Sequence, residues 1–437
     1  MRTTAFLLGT AASILTLAAG CDGGTGTDPD DNECHDGEKA GCVVVSDQQR
    51  IQNPDVPQSD LDALVQGNNT FALDLYQQIK GEEGNLFYSP YSISLALAMT
   101  WAGARGQTEA EMAATLDFTL SQGALHPAFN ALDQALASRG QNAQASDGQG
   151  FRLRIANALW GQTGLPFETP FLDTLALNYG AGMRVVDFEN DAPQAIDLIN
   201  GWVDAQTEGK IKKLVGPDNI DSSTRFVLTN AIYFNAAWAS PFETKNTADA
   251  DFTKADGSTV TVSMMHQSQE TGYVAGDGFQ AVRLPYDGQE LSMIAILPDP
   301  GTLADFEASL DAAKLEEIAG SLTQHDVEMS VPKFEFSGDF SLADTLSKMG
   351  MAGAFGPGAD FSGITKADQL VLMDVLHKSY IKVNEAGTEA AAATAVVGGT
   401  TSIPEPASIT LDHPFLFVIR DKTGTLLFVG RVANPAE

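Results

Sequence analysis

The sequence predicts an α+β fold in which helices and antiparallel strands are mixed along one chain of 437 residues. Helical periodicity dominates the first third of the body, apolar alternating runs dominate the rest, and short turns join several of those runs. Nothing between residues 60 and 437 has the composition of an interdomain linker, and there is no internal repeat. In chain order, "LDALVQGNNTFALDLYQQIK" sets Leu61, Leu64, Phe71, Leu73 and Leu75 at helical spacing, with a break or kink expected near Gly67. "SISLALAMTWAGARG" reads as a more buried helix that ends at its glycines. Strands follow in "RFVLTNAIYFNAAW", "AVRLPYD", "LSMIAILPD", "VEMSVPKFEFSG", "VLMDVLHKSYIKV", "FLFVIRD" and "LLFVGRV", the last two joined by the turn "KTG". "DFSLADTLSKMG" interrupts them as a helix.

Charge narrows the functions. Against 25 Lys+Arg the chain carries 57 Asp+Glu, a net charge of −32. That field repels nucleic acid phosphates, anionic membranes and heparin-type polyanions. The first twenty residues hold one basic residue, Arg2, then an apolar run and small residues before Cys21, which reads as a secretory signal over 1–20. The position of Cys21 after "LAAG" is similar to a bacterial lipoprotein cleavage site, with Cys21 lipidated and the cell envelope or surface as destination. Ala18 stands where such sites carry a bulky residue, and ordinary secretion is the alternative. Residues 21–59 read as a flexible acidic spacer. All three cysteines fall in its first half or close to it, and Cys34 with Cys42 can close a small disulfide loop outside the cell. With only His35 added, they are too few for a metal site.

No enzyme signature survives inspection. The six histidines show no zincin spacing, and there is neither a "GxSxG" elbow nor a phosphate-cradling glycine loop. "SYIK", "YFN" and "KTG" match the short motifs of penicillin-interacting serine enzymes. Their order is wrong, however, and Ser379 and Lys382 in an alternating strand face opposite ways. His377, in "LHKSYIKV", reads either as a satisfied core histidine or as a polar latch between strands.

The segment "EAGTEAAAATAVV", residues 385–397, conflicts with its surroundings. Its four alanines favour helix, yet strand-like runs flank it and "GGTTSIPEP" follows. As a strand it would put Thr388, Ala390, Ala392, Thr394 and Val396 on one face and Gly387, Glu389, Ala391 and Ala393 on the other. Small residues throughout one face allow such a strand to enter an existing sheet without disturbing the core beneath it. Outside a sheet, an alanine-rich stretch of about ten residues is only a marginal helix in water.

Over residues 60–437 the chain resembles the serpins. The resemblance rests on "NLFYSPYSISLALAMTWAGARGQTEAEM", "WVDAQTEGKIKKLV", "FVLTNAIYFNAAWASPFETKNTADADF", "VPKFEFSGDFSLADTLSKMGMAGAF", "DFSGIT", "LHKSYIKVNEAGTEAAAATAV" and "HPFLFVIRDKTGTLLFVGRVANP", in that order. It implies one domain of three β-sheets and about nine helices, with an exposed reactive-centre loop at about 385–407. It also implies a monomer that is not an enzyme, needs no cofactor or metal, and partners a serine protease or less often a cysteine protease. The family's hinge falls on Glu385, Gly387, Thr388, Ala390, Ala392 and Thr394. Its shutter falls on Ser89, Ser92, Asn230 and His377, and the top of its central sheet on Trp238. "YFNAAW" lacks the basic residue that relatives carry there. Counting seventeen residues from Glu385 sets the reactive bond at Thr401–Ser402, and counting back from "HPF" gives the range Thr400 to Ile403. The expected activity is suicide inhibition of an elastase-like or subtilisin-like serine protease by loop insertion. The rival is a non-inhibitory binding or chaperone protein of the same fold.

Overall fold

The computed structural model describes residues 42–141, 143, 151–388 and 406–437; the signal region, Cys21, Cys34, Glu389, Ala390, Ala392, Thr394, Thr401 and Ser402 lie outside them. The chain runs β1 (Cys42–Val44), α1 (Gln58–Ile79), β2 (Leu86–Tyr88), α2 (Pro90–Trp101), α3 (Gly106–Thr115), α4 (Gln122–Ala137), β3 (Arg152–Gln162), α5 (Thr169–Tyr179), β4 (Met183–Val186), α6 (Phe188–Gln206) and β5 (Phe226–Ala237). Then come β6 (Thr247–Thr253), β7 (Thr259–Gly276), β8 (Phe279–Pro285), β9 (Leu291–Pro298), α7 (Leu303–Ala308), α8 (Ala312–Ser321), β10 (Thr323–Pro332), β11 (Phe334–Ser341), α9 (Ala343–Leu346) and α10 (Ala352–Phe355). The described chain closes with β12 (Val375–Asn384), β13 (Gly387–Thr388), β14 (Pro406–Thr410), β15 (Phe415–Asp421) and β16 (Leu426–Val432). A π-type turn at Ser347–Met351 joins α9 to α10; counted as one stretch, they bring the α-helices among the described residues to nine.

Among the described residues, two hydrogen-bonded sheets carry the fold. The first has seven strands in the order β1-β4-β3-β5-β13-β12-β11. The second has nine, β14-β10-β7-β8-β9-β15-β16-β2, with β6 also on β7. The three expected sheets become two by continuity of pairing, because the 18-residue β7 bonds β6 over its first part, β10 from Met264 to Tyr273 and β8 over its last residues. Apolar residues on opposite faces of the first sheet enter different cores. Leu159, Leu228, Ile232 and Phe234 join the main core with α1 to α4, whereas Ala156, Ala158, Trp160, Val227 and Ala231 pack under α6 against Ile199, Trp202 and Val203.

Local chemistry sets the helix boundaries. Ser89 caps α2 by accepting the Ser92 N–H, and Pro90 follows at the first helical position, where its missing N–H costs nothing. Every residue of α2 is buried, in keeping with a sequence that carries no charge and only Ser92, Ser94 and Thr100 as small polar residues. α1 corrects the expected kink: it is continuous through Gly67, whose missing side chain admits the Asp117 carbonyl 2.3 Å from where a Cβ would stand. In α6 the chain does break, at Asp191, just before Pro193.

The flexible spacer expected up to residue 59 is also corrected, for the part that is described. Val43 and Val44 extend the first sheet as β1, residues 46 to 53 are hydrogen-bonded to α4 and α5, and α1 starts at Gln58. Valines suited to strand pairing and one arginine outweigh the polar average of the segment. Cys42 is disulfide-bonded.

Candidate functional site

β5 and β12 stand at the middle of the first sheet and pair in parallel from Val375↔Leu228 to Tyr380↔Tyr233. Above Tyr380 they part. β12 turns back after Asn384, and β13 fills the opening, with Thr388 between Ala236 and Val383, and Gly387 between Ala237 and Asn384. Only glycine suits position 387: its φ is 156°, and a Cβ would lie 2.1 Å from the Ala236 carbonyl oxygen.

The upper end of this seam is held by side chains distant in sequence. The fully buried Thr388 hydroxyl shares a 2.8 Å hydrogen bond with the Tyr286 hydroxyl. Tyr286 stacks on Trp238 at 4.7 Å between ring centroids, and the Trp238 indole N–H donates to the Asn384 carbonyl at 3.0 Å. The Trp238 backbone N–H donates to the Ala386 carbonyl and that of Phe242 to the Glu385 carbonyl. The Glu385 side chain pairs with Lys333 at 2.9 Å and accepts from the Thr247 hydroxyl at 2.8 Å. Burial works to raise the pKa of Glu385, but the hydrogen bonds from Lys333 and Thr247 outweigh it and hold the carboxyl below its ordinary value.

Lower down, a buried polar cluster crosses from α2 to the seam. The Ser89 backbone N–H donates to His377 Nε2 at 3.1 Å, so the ring proton is on Nδ1, which donates to Asn230 Oδ1. Asn230 Nδ2 donates to Ser92 Oγ at 2.6 Å and to Asn157 Oδ1 at 2.5 Å; Asn157 Nδ2 in turn donates to the Ser92 carbonyl at 3.0 Å. Ser379 Oγ donates to the Phe87 carbonyl at 2.7 Å. The structure therefore brings together Ser89, Ser92, Asn230 and His377 as one network, and Glu385, Gly387, Thr388 and Trp238 as another. Asn157, Tyr286, Lys333 and Thr247 were not anticipated. Asn157 had a readable signal: in "RIANALW" it is a lone polar residue on the face it shares with Leu159. The other three come to the seam through long-range contacts: Thr247 from β6, Tyr286 just after β8 and Lys333 between β10 and β11.

Desolvation lowers the His377 pKa to about 3 and that of His126, the other buried histidine among the described residues, to about 4. Both are neutral when folded and titrate near 6.5 when unfolded, so the unfolded chain binds more protons below that pH. Stability is then complete above 6.5 and falls by up to ~1.4 kcal/mol per histidine for each pH unit below it. Asp117, raised to about 6 by burial first and then by Asp74, works the other way and offsets part of the loss. The denaturant midpoint should be lower at pH 5 than at pH 7. An equal or higher midpoint would show that the histidines are not held neutral.

The network carries no nucleophile–base pair with an open substrate position, and among the described residues no group of three His, Cys, Asp or Glu side chains is placed to hold a metal. Comparison with known proteins agrees with the architecture. The family model "Serpin (serine protease inhibitor)" matches residues 66–435. An uncharacterized serpin-like protein of Thermococcus kodakarensis is 40% identical over 378 residues, 86% of each chain. The leukocyte elastase inhibitor of Homo sapiens is 36% identical over 388 residues, covering 86% of this chain and all of the relative. Among solved structures, the thermophilic serpin tengpin in its native state superposes with a TM-score of 0.77 at 27% identity, over 89% of this chain and 97% of tengpin. Human thyroxine-binding globulin gives 0.77 at 32% identity, over 86% and 100%. With this seam, this polar cluster and these relatives, the chain belongs to the serpin family, which is described as a family of serine protease inhibitors.

Proposed function

We propose that this serpin is a suicide inhibitor that traps its protease by inserting the cleaved loop between β5 and β12. The protease serine attacks a carbonyl within Thr400 to Ile403, with Thr401 the reference position, and forms an acyl-enzyme. The freed hinge then continues the strand that β13 begins. The protease is carried along and distorted before deacylation. Metastability of the uninserted state, retained kinetically, supplies the energy.

One observation carries this reading: Gly387 and Thr388 stand between β5 and β12 while the strands below them pair directly, so the path of entry is already started and its continuation is closed. Small residues at 390, 392 and 394 suit the same path. Ser89, Ser92, Asn230 and His377 act as the latch that must part, and Trp238 with Glu385 guards the entrance.

The flank "VVGGTTSI" has no basic or aromatic residue, so trypsin-like and chymotrypsin-like pockets find nothing to fill them; elastase-like or subtilisin-like pockets fit. The name of the human relative, leukocyte elastase inhibitor, is in keeping with this. With Cys21 lipidated after signal removal, the protein acts as a shield at the bacterial surface against secreted proteases. Incubation with elastase, subtilisin, trypsin and chymotrypsin, then denaturing electrophoresis, tests the reading. A complex that survives denaturant is expected with the first two. Cleavage without any such complex would favour a non-inhibitory binder or chaperone, and a complex with trypsin alone would overturn the target class.

A further inference from the structure

A cleft of about 510 Å3 opens between α8, the strands β7, β8 and β9, and the turn that joins β15 to β16. It belongs to neither the seam nor the buried polar cluster, and its size is that of a site for one small molecule. Most of its charged lining is paired within the protein. Lys422 pairs with Glu290 at 2.9 Å, Asp421 with Arg139 at 3.0 Å, and the Arg420 guanidinium lies 3.1 and 3.2 Å from the two oxygens of Glu316.

Arg283 is the exception. It stands on β8 beside Gly272 of β7, where a Cβ would lie 3.9 Å from the guanidinium carbon, and it is half-buried. Its head has five N–H donors, and the bond it makes within the protein is to the Ala319 carbonyl, at 3.3 Å. Among the described residues it forms no ion pair. Burial first, and then the like charge of Arg420, lower its pKa, yet a guanidinium stays protonated at any ordinary pH. A chain with 57 Asp+Glu to draw on thus leaves a half-buried cation without a carboxylate and next to another cation. Holding it there costs free energy that an anionic ligand would offset.

The rest of the cleft narrows the chemistry of that ligand. Ser240, Ser292, Gln289 and Gln324 line other parts of it, residue types that suit a hydroxylated body better than a hydrocarbon one. Glu270, Glu290, Glu316 and Asp421 balance the cations of the lining, so a polyanion is repelled, whereas a single carboxylate can seat on Arg283 as a two-pronged pair. We propose that this cleft binds a small hydroxylated monocarboxylic acid, of the sugar-acid type, with its carboxylate on Arg283 and its hydroxyls toward the serine and glutamine walls.

Calorimetric titration of the full chain with sodium gluconate, at an ionic strength matched with sodium chloride, tests the site. Saturable binding with a Kd of about 1 mM or below is expected. Glucose, which lacks the charge, should bind at least about tenfold more weakly, and citrate, which carries more charge, no more tightly than gluconate. Arg283→Gln should weaken gluconate binding at least about tenfold. Glu316→Gln removes a carboxylate and releases Arg420, so it should tighten binding severalfold; its side chain is 49% exposed, and the change leaves the core untouched. Absence of saturable gluconate binding would overturn the site, as would equal binding of glucose, tighter binding of citrate, or unchanged affinity in both variants. Should Arg283→Gln fail to fold, Glu316→Gln decides alone: tighter binding supports the site, and unchanged or weaker binding overturns it.

Discussion

Cutting the loop near Thr401 should raise the melting temperature by about 20 °C or more. In the uncut chain β5 and β12 satisfy each other only from Val375 to Tyr380, and the hinge contributes two residues above them. Insertion of about ten further residues gives the sheet a central strand bonded on both sides, in antiparallel register with its neighbours. At ~0.5–1.5 kcal/mol net per hydrogen bond, less the parallel bonds given up, the gain is on the order of 10 kcal/mol. About 2 °C per kcal/mol for a domain this large then gives the predicted shift. Calorimetry of the nicked and intact proteins measures it, and an unchanged or lower value would mean that the loop does not enter.

Thr388→Arg should turn the inhibitor into a substrate. Thr388 is fully buried, and its hydroxyl is satisfied by Tyr286 in a space walled by the Trp238 ring. An arginine there would bring an unpaired charge into the core, at a cost on the order of several kcal/mol. Because Thr388 already stands between β5 and β12, the arginine pushes β13 out of the opening in the uncut chain; insertion after cleavage then has no start to continue from, the acyl-enzyme hydrolyses, and cleaved serpin accumulates in place of complex. The ratio of complex to cleaved product on a denaturing gel is the measurement, and full inhibition by the mutant would refute the assignment of Thr388 to the inserting face. Glu389→Arg, on the opposite face by alternation, is the control and should leave most of the complex intact.

What was legible in the chain beforehand followed the range of the forces involved. Strands such as β5, β9, β15 and β16 are apolar runs whose period is local, and they form where the pattern sets them. Of the expected hinge, Glu385, Gly387 and Thr388 are described, at the upper end of the seam; the alternation of small residues beyond them lies outside the described residues. By contrast, the Glu385 and Lys333 side chains meet across 52 positions and Tyr286 and Thr388 across 102, distances over which no single-sequence pattern reaches. Gly67 misled because a glycine that admits a neighbouring backbone looks, in one dimension, the same as one that breaks a helix. The start of β12 misled differently. "VLMD" continues the apolar run, but Asp374 binds the Val375 and Ala343 N–H groups and the Ser341 hydroxyl, which ends the strand at Val375.

The stack of Trp238 on Tyr286 has an optical consequence. Of the four tryptophans, Trp101 packs against Phe118 and His126, and Trp160 of β3 forms an edge-to-face pair with Trp202 of α6. Among the described residues, Trp238 is the tryptophan that touches the hinge, through its ring neighbour and through an indole N–H bound to the carbonyl of Asn384, the last residue before the chain reverses. Any event that straightens that reversal takes away the hydrogen-bond acceptor of the Trp238 indole. The protein thus carries its own fluorescent reporter at the point of entry, and the colour and intensity of its emission follow the conformation of the loop without a label.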